Sequence, residues 1–304
     1  MEIWIGITFA AAFLQNLRSS LQKYLKGRMA TLGATFTRFG FGVPFAAFYF
    51  AILAYGLDRP VPSVTGDFLF WSVIGAAGQI AATFLLVYLF SFRNFAVGTA
   101  YSRTEPAQAA VLALLFFGAT ISYVAVVAIL ISIAGVMLIS LSRSAVSLRA
   151  LVTGLATRTA LIGIASGTLF GLSAVSYRAA SLALAPTLPA PDSVMQAAFT
   201  LLVVIVMQAV AMVAWMLVFD RAELGKVMRA WRPAFAVGFV GATASFGWFI
   251  AMTLQQASIV KAVAQVEMLF TIATSVLFFR ETITRVELLG CGLVVCGVLV
   301  LLFA

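Results

Sequence analysis

Residues 101–117 read YSRTEPAQAAVLALLFF, a glutamate and a proline set into a segment that otherwise suits hydrocarbon. Displacing the sequence by 162 positions lays residues 95–142 over 257–304 without a gap. In that register Glu105 meets Glu267, and Leu115-Phe116-Phe117 meets Leu277-Phe278-Phe279. FFGATISYV at 116–124 lies over FFRETITRV at 278–286, and Gly135-Val136 meets Gly297-Val298. Asp58-Arg59 falls on Asp220-Arg221, so the register also runs back through an earlier segment of each half. An unbroken register that pairs two rare glutamates is the signature of an internal duplication.

What was duplicated follows from composition. Hydrophobic residues make up 63% of the 304, charged residues only 10%, and the mean hydropathy is +1.11. Ordinary soluble domains hold about 45–50% apolar residues, so the chain reads as an integral membrane protein. Apolar runs of bilayer-spanning length are expected near 3–22, 31–56, 68–92, 95–117, 121–141, 158–184, 193–219, 232–254, 257–279 and 283–303. DRPVPS at 58–63 and APTLPAPD at 185–192 are the clearest punctuation. The expected fold is therefore all-α, with ten transmembrane helices in two repeats: residues 1–142, a cytoplasmic linker at 143–157, and residues 158–304. Five spans per repeat is an odd number, which turns the second copy upside down and yields inverted repeats.

Several functional classes are poorly served by this sequence. It has no histidine, the commonest general base and metal ligand. Its two cysteines, Cys291 and Cys296, share the last apolar segment and read as small hydrophobes. No phosphate loop, dinucleotide fingerprint or zinc spacing occurs, so no cofactor, metal or ATP-driven step is expected. The net charge of +9 is spread in short clusters between apolar runs, which suits topology and anionic lipid rather than nucleic acid. The first residues, MEIWIGITFAAAFLQN, lack a basic leader and read as a retained span.

Orientation follows from the basic residues of the connections. Fourteen, from Arg18, Lys23 and Lys26 through Arg280 and Arg285, fall after odd-numbered segments; Arg59, Arg178 and Lys261 fall after even-numbered ones. Positive charge favours the cytoplasm, so both termini are expected on the non-cytoplasmic side of a cell membrane, most simply a bacterial inner membrane.

The tail LFFRETITRVELLGCGLVVCGVLVLLF, 277–303, resembles the carboxy-terminal signature of the EamA-like branch of the drug/metabolite transporter superfamily. Glu281, Thr282, Gly290 and Gly297 hold the matching places, while the first half departs with Ala119 where a glutamate is expected. The resemblance implies a secondary transporter, commonly an exporter of amino acids or other small metabolites, without naming a substrate.

A charged side chain at mid-membrane costs about 2.5–3.5 kcal/mol on insertion scales, so each one needs a reason to be there. Glu105 and Glu267 are expected at mirrored depths where the halves meet, the usual place for substrate and coupling ions. Tyr101, Ser102 and Gln108 share the Glu105 face at helical spacing; Ala264, Thr271 and Thr274 share that of Glu267. Pro106 is expected to free the Ser102 carbonyl for a ligand. Asn16, Arg38, Gln79 and Trp248 complete the expected substrate and coupling-ion set, with Thr83, Ser245 and Tyr88 as lesser members. The competing reading makes the glutamates structural, paired with Arg103, Arg38 or Lys261. Gly163, Gly167 and Gly171 are expected to let helices approach closely.

The leading expectation is a secondary carrier exporting a small polar metabolite, most plausibly an amino acid, by alternating access, with a proton or the substrate's own gradient as the driving force. The alternative is a proton-coupled exporter of hydrophobic or quaternary cations. A lipid-modifying enzyme and an inert assembly subunit are disfavoured by the few carboxylates and by the symmetric glutamates respectively. The expected partners are a small-molecule substrate, membrane lipid and a proton, with no nucleic acid; a homodimer is left open.

Overall fold

The computed structural model describes residues 2–89, 91–92, 101–142, 157–277 and 284–303, apart from the side chains of 140–142, 271 and 274–277. Among these every regular element is helical. The first half supplies α1 (Ile3–Lys26), α2 (Thr31–Gly40), α3 (Val43–Ala51), α4 (Gly66–Leu89), α5 (Glu105–Phe117) and α6 (Tyr123–Ser142). The second supplies α7 (Arg158–Ala183), α8 (Ser193–Phe219), α9 (Arg221–Arg229), α10 (Trp231–Leu254), α11 (Ala257–Val263), α12 (Glu267–Leu277) and α13 (Arg285–Phe303). Six segments among the described residues are long and apolar enough to cross a bilayer: 31–56, 66–89, 158–187, 193–219, 231–254 and 285–303. α5 and α6 are shorter apolar helices, and α1 falls outside the six. With 16 of its 24 residues beyond burial in the bundle, α1 also carries Arg18, Lys23 and Lys26.

Packing runs across the halves. α1 lies along α10 and α4 along α7, while α8 covers α2 and α3, and α6 pairs with α13. Exchanging the halves reproduces this pattern. Small residues make the close pairs: a Cβ added at Gly135 would stand 2.6 Å from the Gly290 carbonyl oxygen, and one at Gly297 would stand 2.7 Å from that of Ala128. Gly167 and Gly171 bring α7 equally close to the Ser102 carbonyl (2.9 Å) and the Ala109 nitrogen (3.0 Å), as their spacing predicts.

Three expectations about segments change. The 31–56 run is not one uniform helix: it breaks at Phe41-Gly42, resumes with Pro44 in the first turn of α3, and ends in a π turn, Ile52–Gly56. The helix carrying Glu105 does not run through that residue from position 95. Tyr101-Ser102 form a helical turn, Arg103-Thr104 a bend, and α5 starts at Glu105 itself. Likewise the 257–279 run is interrupted by a 3-10 turn, Ala264–Val266, so that α12 starts at Glu267. Residues 93–100 and 278–283, including Glu281 and Thr282, lie outside the described residues.

Two tethers close opposite ends of the α2–α3 segment. Asp58, at φ +46°, reverses the chain so that Arg59 reaches Asp192 at 3.0 Å, and Asp192 also caps α8 by accepting from Val194 and Met195 N–H. At the other end the connection expected after residue 219 contains α9, a short amphipathic helix. Its Glu223 accepts the Ala30 N–H at the head of α2 and pairs with Lys226 at 3.0 Å. Gly33 makes room for that carboxylate, since a Cβ there would stand 2.5 Å from Glu223 Oε1.

Candidate functional site

Both glutamates begin a helix after a break, where free backbone N–H groups and the helix dipole favour negative charge. This differs from a carboxylate inside a continuous helix. The bends turn α5 and α12 toward one another's halves, and the ionic contacts are crossed. Lys261, on α11 of the second half, lies 2.9 Å from Glu105 of the first. Arg103 of the first half holds both carboxylate oxygens of Glu267, at 2.9 and 3.2 Å. Gln265 donates to the Arg103 carbonyl oxygen at 3.1 Å, adding a third link between the two bends.

Glu267 has the richer surroundings. Gln15 on α1 donates to its Oε2 at 2.8 Å, and Gln15 in turn accepts from Trp248 Nε1 at 3.1 Å. Its side chain is 3% exposed, against 18% for Glu105. The Trp248 ring also carries Lys261 Nζ 5.0 Å from its centroid. The concentration of polar side chains expected around Glu105 is therefore reversed: α1 and α10, distant in sequence, supply Glu267 instead.

These groups line a cavity of about 50 Å³ between the halves. Of the expected residues, Arg38, Gln79, Ser102, Glu105, Trp248 and Glu267 line it, as does Ser245. Asn16, Tyr101 and Gln108 do not. Tyr101 packs with Ala160, and Gln108 donates to Thr104 at 2.7 Å with its amide oxygen against Gly167. The side chain of Thr271 lies outside the described residues. Pro106 sits in the first turn of α5, where no helical bond is lost, and the Ser102 carbonyl faces Gly167 rather than open space. Tyr88 faces a separate groove and accepts from Arg158 at 3.4 Å.

Sequence reading missed Arg18, Tyr177 and the position of Lys261. α1 continues to Lys26, so Arg18 is not a connection residue; it is buried and lines the cavity. Lys261 likewise belongs to a helix facing the site. Removing both from the basic tally leaves its bias intact. Tyr177 donates to the Gly75 carbonyl oxygen at 2.8 Å and joins Gln79 and Gln208 in a buried polar knot. Its companion Gln79 was the only signal in that knot.

The cavity thus holds four cationic side chains, Arg18, Arg38, Arg103 and Lys261, against two carboxylates. The larger groove of about 830 Å³ between α2, α4 and α8 has no charged lining residue and suits acyl chains, not a polar solute.

A bundle of apolar helices enclosing charged groups at its interface, with carboxylates heading broken helices, is the arrangement of a membrane transport protein. The chain belongs to the EamA-like transporter family, whose model matches it twice, over residues 2–141 and 157–303. The two matches establish the two-repeat architecture. A crystal structure of another protein, 17% identical, matches with a TM-score of 0.71 over 98% of this chain and 94% of its own, a likeness of fold alone. No curated protein matches the chain.

Proposed function

We propose that this transporter is a secondary carrier that moves a small polar metabolite through the interface cavity by alternating access. The observation that carries the reading is the crossing of the ion pairs, Arg103 with Glu267 and Lys261 with Glu105. Each joins one repeat to the other, so any rocking of the halves must break or exchange them. A solute or a proton that competes for these groups thereby gains control of the movement. The cavity of about 50 Å³ accommodates a few waters, so a metabolite requires a wider conformation than the one described.

Ten spans in two inverted repeats, with both termini outside the cytoplasm, complete the proposal. The exchange symmetry of the helix pairs and the shared breaks at Glu105 and Glu267 support the inversion. Export of an amino acid fits the site: its carboxylate faces the arginines and its amino group a glutamate. A hydrophobic cation fits less well, because four cations already crowd two carboxylates.

Reconstitution in proteoliposomes tests this. Labelled amino acids, quaternary amines and nucleoside derivatives would be offered with and without a pH gradient. Accumulation of a polar solute, faster with the gradient and reduced in Glu105→Gln, is expected. The reading fails if no solute moves, or if flux is unchanged in both Glu105→Gln and Glu267→Gln.

A further inference from the structure

Among the described residues, two guanidiniums in the cavity have no carboxylate at ion-pair distance. Arg18 is 3% exposed, and its Nε and Nη1 have no hydrogen-bond partner among the described residues. Arg38 is 4% exposed and, among the described residues, donates only to neutral hydroxyls, Thr83 at 3.2 Å and Ser245 at 3.4 Å. The two side chains converge over Gly241: one point, the place of an absent Cβ, is 3.3 Å from Arg18 Cδ and 3.4 Å from Arg38 Cγ. Their stems therefore pass within about 7 Å of each other. The Arg18 charge repels that of Arg38 and both are withdrawn from water, while the longer-range attraction of Glu267 for Arg18 and of Glu105 for Arg38 is shared with Arg103 and Lys261, which those carboxylates hold directly.

We infer that Arg18 and Arg38 bind the oxyanion group of the transported solute, and that this solute is a small organic dianion. Four cations against two carboxylates leave two positive charges in excess, which call for about two negative ones, as an acidic amino acid, a dicarboxylate or a phosphate monoester brings. Gly241 is part of the device, because any side chain there would enter the space between the two stems. The inference rests on the transport reading but narrows it, since a neutral zwitterion or a cation would leave the arginines uncompensated.

The experiment measures binding to the detergent-purified full chain by shift in melting temperature, and flux in proteoliposomes. The probes are succinate, aspartate, glycerol 3-phosphate, leucine and choline. Succinate, aspartate or glycerol 3-phosphate should raise the melting temperature and be carried, and the preferred one separates carboxylate from phosphate recognition. Arg18→Gln and Arg38→Gln should each weaken that binding at least tenfold, and Arg38→Lys, which keeps the charge, should retain more of it than Arg38→Gln. Gly241→Ala, which alters no charge, guards against misfolding of the arginine variants and should also weaken binding. The inference is overturned if leucine or choline is carried and none of the three anions is, which would leave the carrier reading standing. It is equally overturned if anion binding persists in both glutamine variants. Failure of every probe to bind or move would overturn the inference, and the wider panel offered above then decides the carrier reading separately.

Discussion

Glu267 and Glu105 occupy equivalent places in the two copies, yet their partners differ in kind. Arg103 grips Glu267 with two nitrogens and Gln15 adds a third donor, whereas Glu105 has a single close cation, Lys261, at a more exposed position. Charge-assisted bidentate pairs are the strong ones, so Glu267 is the firmer lock. Glu267→Gln leaves the partly exposed Arg103 without its bidentate counter-charge, and it should cut flux more deeply than Glu105→Gln, by at least tenfold relative to the parent protein. Initial rates of counterflow in proteoliposomes check this, and an equal or reversed order would refute the assignment. The identity of the two carboxylates was legible in the sequence because the duplication pairs them. Arg103 and Lys261 stood among the candidate partners there, but which carboxylate each takes was not legible, because Arg103 and Glu267 are separated by 164 positions and meet only through the packing of the halves.

At the level of elements, the breaks ahead of α5 and α12 and the glycine contact between α6 and α13 carry the architecture. Gly135 sits against the Gly290 carbonyl, with no space for a larger side chain. Gly135→Val should therefore lower stability by about 1–3 kcal/mol, the usual cost of overpacking. Gly292→Val on the same α13 is the control, since nothing lies within 4 Å of its absent Cβ. Thermal unfolding of both variants in detergent should separate them, and equal melting temperatures would contradict the helix pairing. Hydropathy indicated that these segments were apolar but not where they stop being helical. A polar bend such as Arg103-Thr104 is stable inside the bundle because Gln265 and Glu267 satisfy its groups from the other half. In isolation the same residues read as a continuous helix.

Across the whole molecule, tethers stand at opposite ends of the α2–α3 segment, Arg59 with Asp192 at one and Glu223 with the Ala30 N–H at the other. They hold α8 and α9 to the first half on both sides of the cavity. The orientation proposed from the basic connections is open to direct measurement. A fluorescent protein fused after residue 304 should stay dark in bacterial cells, while a phosphatase that folds only after export should be active there. A bright cytoplasmic fusion would reverse the orientation without touching the two-repeat architecture.

Sequence alone determined that the chain is a membrane protein, that it is duplicated, and which two carboxylates the duplication pairs. Each of these depends on the order of residue types along the chain, and hydropathy and self-similarity report that order directly. The tertiary structure decided that Arg18 and Lys261 belong to the cavity and that Asn16, Tyr101 and Gln108 do not line it. Arg18 stands eight residues before Lys26 in a run that ends in a basic cluster, so in sequence it is indistinguishable from a topology signal. Only the seating of α1 against α10 turns that side chain away from the headgroups and over Gly241, into the space between the repeats. Burial in protein and burial in lipid require the same apolar letters, and the difference between them is made by which helices meet.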